Sequence, residues 1–140
     1  MSENSPMVCV AAAALIDGAS RVLLQRRPPG RQHGGLWEFP GGKIEQGEGP
    51  IEAVIREIGE ELGVLLKAED LFPVSFGASD SASRRPVLLL LYGCYTWQGA
   101  PRCEAGAELA WVDPHDLADR AMPPLDVPLA KALVAMIDRS

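Results

Sequence analysis

The sequence predicts an α/β fold, a mixed β-sheet with helices packed on its faces, and three observations carry that reading. Short apolar runs bounded by turn residues read as strands in the order β-β-β-α-β-β-β-α. Two segments repeat apolar residues at helical spacing. The 140 residues, 47% hydrophobic and 23% charged, make one ordinary globular domain, which argues against disorder, a coiled coil or a disulfide scaffold. A single domain over residues 1–140 is expected, with about residues 1–6 a flexible N-terminus.

Val8–Ile16 and Arg21–Arg27 are apolar-rich and flank Asp17-Gly18-Ala19-Ser20, whose Asp-Gly pair favours a hairpin of two antiparallel strands. Pro28–Gly35 is a Pro/Gly-rich loop; Leu36–Phe39 alternates like a third strand until Pro40-Gly41-Gly42 breaks it. A helix opens near Gly49-Pro50, where an early proline does no harm, and ends at Gly63. Its stripe is Ile51, Val54, Ile55, Ile58 and Leu62. Val64–Gly77 reads as extended and irregular, Ser79–Arg85 as a polar loop, Pro86–Trp97 as a central strand and Glu108–Val112 as a short one. The last helix, about Pro128–Arg139, sets Leu129, Leu133, Met136 and Ile137 on one side.

No apolar run approaches the 18 or more residues of a membrane span. No basic stretch precedes Val8, so a secretory leader is not expected; Cys9, Cys94 and Cys103 read as reduced thiols, and the cytoplasm is the expected compartment. A net charge of −6 argues against a nucleic-acid polymer as partner. That charge is concentrated: Glu45, Glu48, Glu52, Glu57, Glu60 and Glu61 against Arg56 alone contribute −5.

On a wheel of about 100° per residue with Ile51 at zero, the apolar positions lie within about 60° of zero, while Glu57, Glu60 and Glu61 fall near 240°, 180° and 280°. Like charges three and four apart weaken a helix, so a compensating partner is expected. Clustered hard oxygen ligands suit Mg²⁺, with Mn²⁺ a possible substitute; three solvated glutamates are the plainer alternative.

The spacing decides between them. Gly42, five residues, Glu48, seven residues, then Arg56-Glu57-Ile58-Gly59-Glu60-Glu61-Leu62-Gly63-Val64 matches every fixed position of the Nudix hydrolase signature, Gly-x5-Glu-x7-Arg-Glu-U-x-Glu-Glu-x-Gly-U with U bulky aliphatic. Leu36–Glu45 and Pro123–Pro128 further resemble the MutT subgroup, which sanitises oxidised nucleoside triphosphates. The resemblance covers about Val8–Leu133. It implies an α/β/α sandwich, a divalent metal, and water attack on a phosphoanhydride of a nucleoside diphosphate linked to another moiety.

Carried over residue by residue, the resemblance makes the Gly41 carbonyl, Glu60 and Glu61 metal ligands and Glu57 a ligand or the base. Glu104, ahead of Ala105-Gly106, would join the metal site or orient the water; otherwise it is an exposed loop glutamate. Gly42, Glu48, Arg56 and Gly63 would be structural members of the signature, Glu48 and Arg56 pairing to hold loop against helix. Arg27, Phe39, Arg85 and Asp126 align with nucleotide contacts, against the plainer readings of strand-end cation, core aromatic, loop cation and N-cap of the last helix.

Two positions depart from the pattern. Asp126 stands where the subgroup's best-known members have Asn, and an ionised Asp only accepts hydrogen bonds, so 8-oxoguanine could not be read in the same way. Gly59 costs about 1 kcal/mol of helix propensity relative to Ala and has no functional account. Gly77–Arg84 lacks the Tyr or Pro that marks dinucleoside polyphosphate and ADP-ribose subgroups. The resemblance thus implies a Mg²⁺-dependent (deoxy)nucleoside triphosphate pyrophosphohydrolase acting on oxidised or modified nucleotides such as 8-oxo-dGTP. A pyrophosphatase for CTP or 5-modified dCTP, whose exocyclic amino group an ionised Asp126 would accept, and a non-catalytic nucleotide sensor are the alternatives. The expected partner is the nucleotide alone, with no membrane, and the chain a monomer or weak dimer.

Overall fold

The computed structural model describes residues 7–30, 34–79 and 85–140. The predicted N-terminal tail and the middle of the predicted Ser79–Arg85 loop lie outside them. The strands are β1 (Val8–Leu15), β2 (Val22–Arg26), β3 (Trp37–Glu38), β4 (Gly41–Lys43), β5 (Leu71–Ala78), β6 (Val87–Cys94) and β7 (Glu108–Val112). The helices are α1 (Pro50–Leu62) and α2 (Asp126–Arg139), with 3₁₀ turns at Ala68–Asp70 and Pro114–Asp119.

Among the described residues, seven strands form two sheets. The four-stranded sheet, ordered β4-β1-β6-β5, is mixed: β1 runs parallel to β6 and antiparallel to β4, and β5 is antiparallel to β6. The second sheet, β3-β2-β7, is antiparallel throughout. This corrects the expected β1/β2 hairpin. Asp17 does organise a tight turn, accepting from the backbone of Ala19 and Arg21, but only the bridge between Ile16 and Val22 pairs across it before the strands part into different sheets. Both strands are buried over most of their length, so each finds partners elsewhere. Likewise Pro40-Gly41-Gly42 does not end the extended structure; it carries the chain from β3 in one sheet to β4 in the other.

Strand β1 shows why a run of small residues is needed at the centre. Ala11, Ala13 and Leu15 pack with Val54, Ile58 and Leu62 of α1, whereas Ala12, Ala14 and Ile16 pack with Leu129 and Leu133 of α2. Alternation sends successive side chains to opposite faces, and alanine lets the layers approach closely. An added Cβ at Gly41 would lie 2.2 Å from the Ala11 carbonyl oxygen. That approach seats β4 against β1, and the next residue, Gly42, meets Glu57 of α1, where the site forms.

Candidate active site

Helix α1 starts where Glu52 accepts from the Gly49 N–H at 2.7 Å, with Pro50 in its first turn. It ends on Gly63 at φ 70°, the left-handed cap that glycine adopts without strain. Arg56 organises the carboxylates of the acidic block. Its Nε donates to Glu48 Oε2 at 2.7 Å and Nη2 to Glu48 Oε1 at 3.0 Å, a two-pronged pair, while Nη2 also reaches the Lys43 carbonyl. Nη1 donates to Glu57 at 3.0 Å and Glu60 at 3.3 Å. The pair holds the Glu48 carboxyl down at about 2. The like-charge repulsion read from the helix thus finds its partner inside the same stretch.

Glu57 lies against Gly42: an added Cβ there would sit 2.3 Å from the Glu57 Cδ. The glycine is a seat for a carboxylate. Glu61 is drawn inward, as its wheel position about 20° from the apolar stripe allows, and its Oε1 is buried with no hydrogen-bond partner. Burial, then the hydrogen bond and charge of neighbouring Glu57, push its carboxyl up to about 8. Glu60 stays exposed. Glu60, Glu61 and Glu104 wall a cavity of about 300 Å³ together with Gln25, Arg27 and Pro28.

Arg27 also faces a second group of acids, Glu38 and Asp126. Arg27 Nε donates to Glu38, whose side chain is only 14% exposed. That bond, ahead of the charges of Glu61 and Asp126, raises the arginine's pKa. Phe39 is buried in the core, and its backbone N–H donates to Asp126 Oδ2 at 3.2 Å. Asp126, 6% exposed, is pushed up to about 7 mainly by burial, with the Glu38 charge adding to it.

These positions correct the N-cap reading of Asp126. Helix α2 begins at Asp126, two residues before Pro128; Leu125 is its cap residue, and no side chain caps it. Asp126 turns into the core towards Phe39. Nor is it the fully ionised acceptor expected from its type, because a carboxyl near 7 carries a proton part of the time and then both donates and accepts. Arg85 is exposed at the approach to β6 and is not among the described residues lining the cavity. Sequence reasoning missed Gln25 and Glu38. They face one another in the β2/β3 register, and only a known pairing would reveal that the carboxylate between Trp37 and Phe39 reaches Arg27.

The donor set fits a hard divalent cation: carboxylates of Glu57, Glu60, Glu61 and Glu104, with a buried, partnerless oxygen on Glu61 that a cation would satisfy. Among the described residues no three His, Cys, Asp or Glu side chains stand already gathered around one point; Glu57 and Glu60 lean on Arg56 instead.

A NUDIX domain model matches residues 6–133. The chain belongs to the NUDIX family. Its relatives include a CTP pyrophosphohydrolase of Escherichia coli, 30% identical over 129 residues that cover 89% of this chain and 90% of that protein. A putative 8-oxo-dGTP diphosphatase 2 of Mycobacterium tuberculosis is 36% identical over 118 residues, 84% of this chain and 81% of the relative. A solved structure from work on MutT of Aliivibrio salmonicida and Vibrio cholerae superposes with a TM-score of 0.80 at 26% identity, covering 94% of this chain and 99% of that one.

This Nudix hydrolase therefore has its signature arranged around Arg56, and the final signature glycine has a second use. The Arg102 guanidinium lies over Gly63, where an added Cβ would be 2.6 Å from Nη1, and the Arg102 N–H donates to the Leu62 carbonyl at 3.0 Å. A cation at a helix C-terminus is favourable. It also ties the chain leading to Glu104 to the end of the helix that bears Glu60 and Glu61.

Proposed function

We propose that this Nudix hydrolase is a Mg²⁺-dependent (deoxy)nucleoside triphosphate pyrophosphohydrolase of the MutT type, releasing monophosphate and pyrophosphate from modified nucleotides such as 8-oxo-dGTP. The observation that carries the reading is a cavity walled by Arg27 and the carboxylates of Glu60, Glu61 and Glu104, with Arg27 coupled electrostatically to both Glu61 and the buried Asp126 that accepts from the Phe39 backbone. A nucleoside triphosphate needs carboxylates for its cation, a guanidinium for its phosphoryl oxygens and a polar group for its base.

In this reading Glu57, Glu60, Glu61, Glu104 and the Gly41 carbonyl hold Mg²⁺ or Mn²⁺. The cation supplies charge for the polyphosphate oxygens and lowers the pKa of water. Glu57 or Glu104 takes the proton from the attacking water; Glu57 is held on Gly42 by Arg56, so its lone pairs start from a fixed place. Arg27 binds a phosphoryl oxygen through its terminal nitrogens. Phe39 shelters the base and Asp126 reads it, with Oδ2 occupied by the Phe39 N–H and Oδ1 left for the ligand. Arg85 remains a proposed contact from the open side. The substrate is a free nucleotide in the cytoplasm, taken by a single-domain monomer or weak dimer.

A second reading is supported by the same side chain. When ionised, Asp126 accepts from an exocyclic amino group, as a CTP or 5-methyl-dCTP pyrophosphatase would require. The test is a panel of 8-oxo-dGTP, dGTP, CTP, 5-methyl-dCTP, ADP-ribose and diadenosine tetraphosphate, scored for pyrophosphate against phosphate release. Pyrophosphate release led by 8-oxo-dGTP is the expected result; preference for the cytidine nucleotides selects the second reading, and binding without turnover selects a sensor.

A further inference from the structure

Arg27 stands beside an excess of negative charge. It lines the same cavity as Glu60, Glu61 and Glu104, and it feels Glu61 and Asp126 electrostatically. A guanidinium with five N–H donors in such company would ordinarily turn onto the carboxyl of Glu61, whose buried Oε1 has no hydrogen-bond partner, and in doing so would occupy an oxygen a cation needs. The ion pair it makes instead is with Glu38, on the wall of β3. That partner is largely buried, stands opposite Gln25 in the strand register, and takes the Nε edge of the guanidinium. That bond does not itself use the four N–H groups of the two terminal nitrogens.

We propose that Glu38 is a positioning residue that anchors Arg27 away from Glu61, keeping the buried, partnerless Oε1 of Glu61 open to a divalent cation and presenting the arginine's terminal nitrogens to a phosphoryl group. This rests on the reading of the cleft as a metal-dependent triphosphate site. Glu38 touches neither water nor phosphate in this scheme; it acts through Arg27. Its contribution therefore depends on the arginine's presence, which a general stabilising role would not.

The test compares wild type, Glu38→Ala, Arg27→Ala and the double variant, with two readouts. The first is Mn²⁺ binding by the nucleotide-free protein, followed by loss of the free-ion paramagnetic resonance signal. The second is KM and kcat for the best triphosphate of the panel. Glu38→Ala is expected to weaken Mn²⁺ binding about fivefold and raise KM about tenfold, the scale of one charge-assisted contact. Arg27→Ala is expected to raise KM similarly while leaving Mn²⁺ binding at least as tight as wild type. The double variant should bind Mn²⁺ like Arg27→Ala, so that removing the arginine rescues the loss caused by removing its anchor. Glu38→Gln, which keeps an acceptor for Nε in the same shape, should lie between wild type and Glu38→Ala, and it carries the comparison should Glu38→Ala fail to fold. Mn²⁺ affinity and KM within twofold of wild type in both Glu38 variants, or a double variant as weak for Mn²⁺ as Glu38→Ala, overturns the proposal while leaving the triphosphate reading standing. A wild type that neither binds Mn²⁺ nor turns over any triphosphate overturns both.

Discussion

At one end of the cleft, Glu48, Glu57 and Glu60 belong to a single stretch of sequence and share one cation, Arg56, which bonds to all three. At the other end, Phe39 and Asp126 meet from positions 87 residues apart along the chain, beside Glu38, and burial raises the Asp126 carboxyl to about 7. In the first region Arg56 gathers three acids and holds Glu48 down at about 2, whereas in the second Asp126, like Glu61 beside the first group, is pushed up by burial. In the proposed function, pairing fixes the places of carboxylates that hold a cation. Hiding suits a group that must discriminate between ligands by hydrogen bonds, since a mismatch in a dry pocket is not relieved by water.

The sharpest way to break this contrast is Glu57→Gln. The amide is isosteric and can still accept from Arg56, so the seat on Gly42 survives while the charge and basicity vanish. Turnover should fall about 10³-fold or more, with circular dichroism unchanged. Activity within tenfold of wild type would remove Glu57 from the chemistry.

Gly42→Ala asks whether the seat itself matters. The clash is with the far end of a flexible side chain, so the fold should tolerate it, but the Glu57 carboxylate must move. A loss of about 10²-fold in kcat with little change in melting temperature is expected, in keeping with the sensitivity of catalysis to small misplacements. Gly41→Ala makes the control. Its new methyl would meet the Ala11 carbonyl at 2.2 Å and the backbone of Ala12 at 2.5 Å, so it should unfold the β1/β4 edge rather than tune activity.

Asp126→Asn probes the hidden acid through pH. Below about pH 4 the carboxyl is protonated in folded and unfolded chains alike, and its environment is neutral in its effect on stability. Between about 4 and 7 the unfolded chain ionises while the native one keeps its proton, so wild-type stability falls as pH rises; above about 7 the penalty is constant. Asn has nothing to ionise and accepts from Phe39 through its amide oxygen. In metal-free buffer the variant should therefore gain on wild type from pH 4 to pH 7, by about 4 kcal/mol at the plateau, read from urea midpoints. A difference that does not change with pH would mean the carboxyl is not held near neutrality. The same variant should reorder 8-oxo-dGTP, dGTP and the cytidine nucleotides, and the capping role that would have confused that result is excluded by the position of Leu125.

Legibility in the sequence follows this same division. The metal-side residues sit at fixed local spacings, and a helix converts spacing directly into a shared face, so the arc of Glu57, Glu60 and Glu61 follows from residue order alone. What spacing does not supply is depth: Glu61 is partly buried and Glu57 pressed on Gly42, because both depend on how closely β4 approaches α1. The partition of β1 and β2 into separate sheets is equally invisible. The Asp-Gly turn signal reports the bend, not which partners the strands find beyond it, and β2 finds β3 and β7 through residues far away in sequence. Glu38 escapes sequence reasoning for that reason. Pro128 suggests a late start for α2, whereas its first turn in fact begins at Asp126.

Gly59 offers the smallest effect and the finest test of what the signature helix tolerates. It lies inside α1, and an added Cβ would meet nothing nearer than the Val64 carbonyl oxygen at 3.9 Å, an ordinary contact. Unlike Gly41, Gly42 and Gly63, it seats no carboxylate, crosses no backbone and adopts no left-handed conformation. Its carbonyl accepts from the Gly63 N–H at 3.1 Å, a bond that any residue could make. Gly59→Ala should therefore stabilise the protein by about 0.5–1 kcal/mol, through the lower backbone entropy of the unfolded chain. Because α1 carries the metal-side acids and none of the base-side ones, that gain should appear in the unfolding midpoint with kcat/KM unchanged for every nucleotide in the panel. A loss of turnover without a loss of stability would show that the end of α1 bearing Glu60 and Glu61 has to flex during the reaction, and that the paired end of the cleft is less rigid than Arg56 makes it.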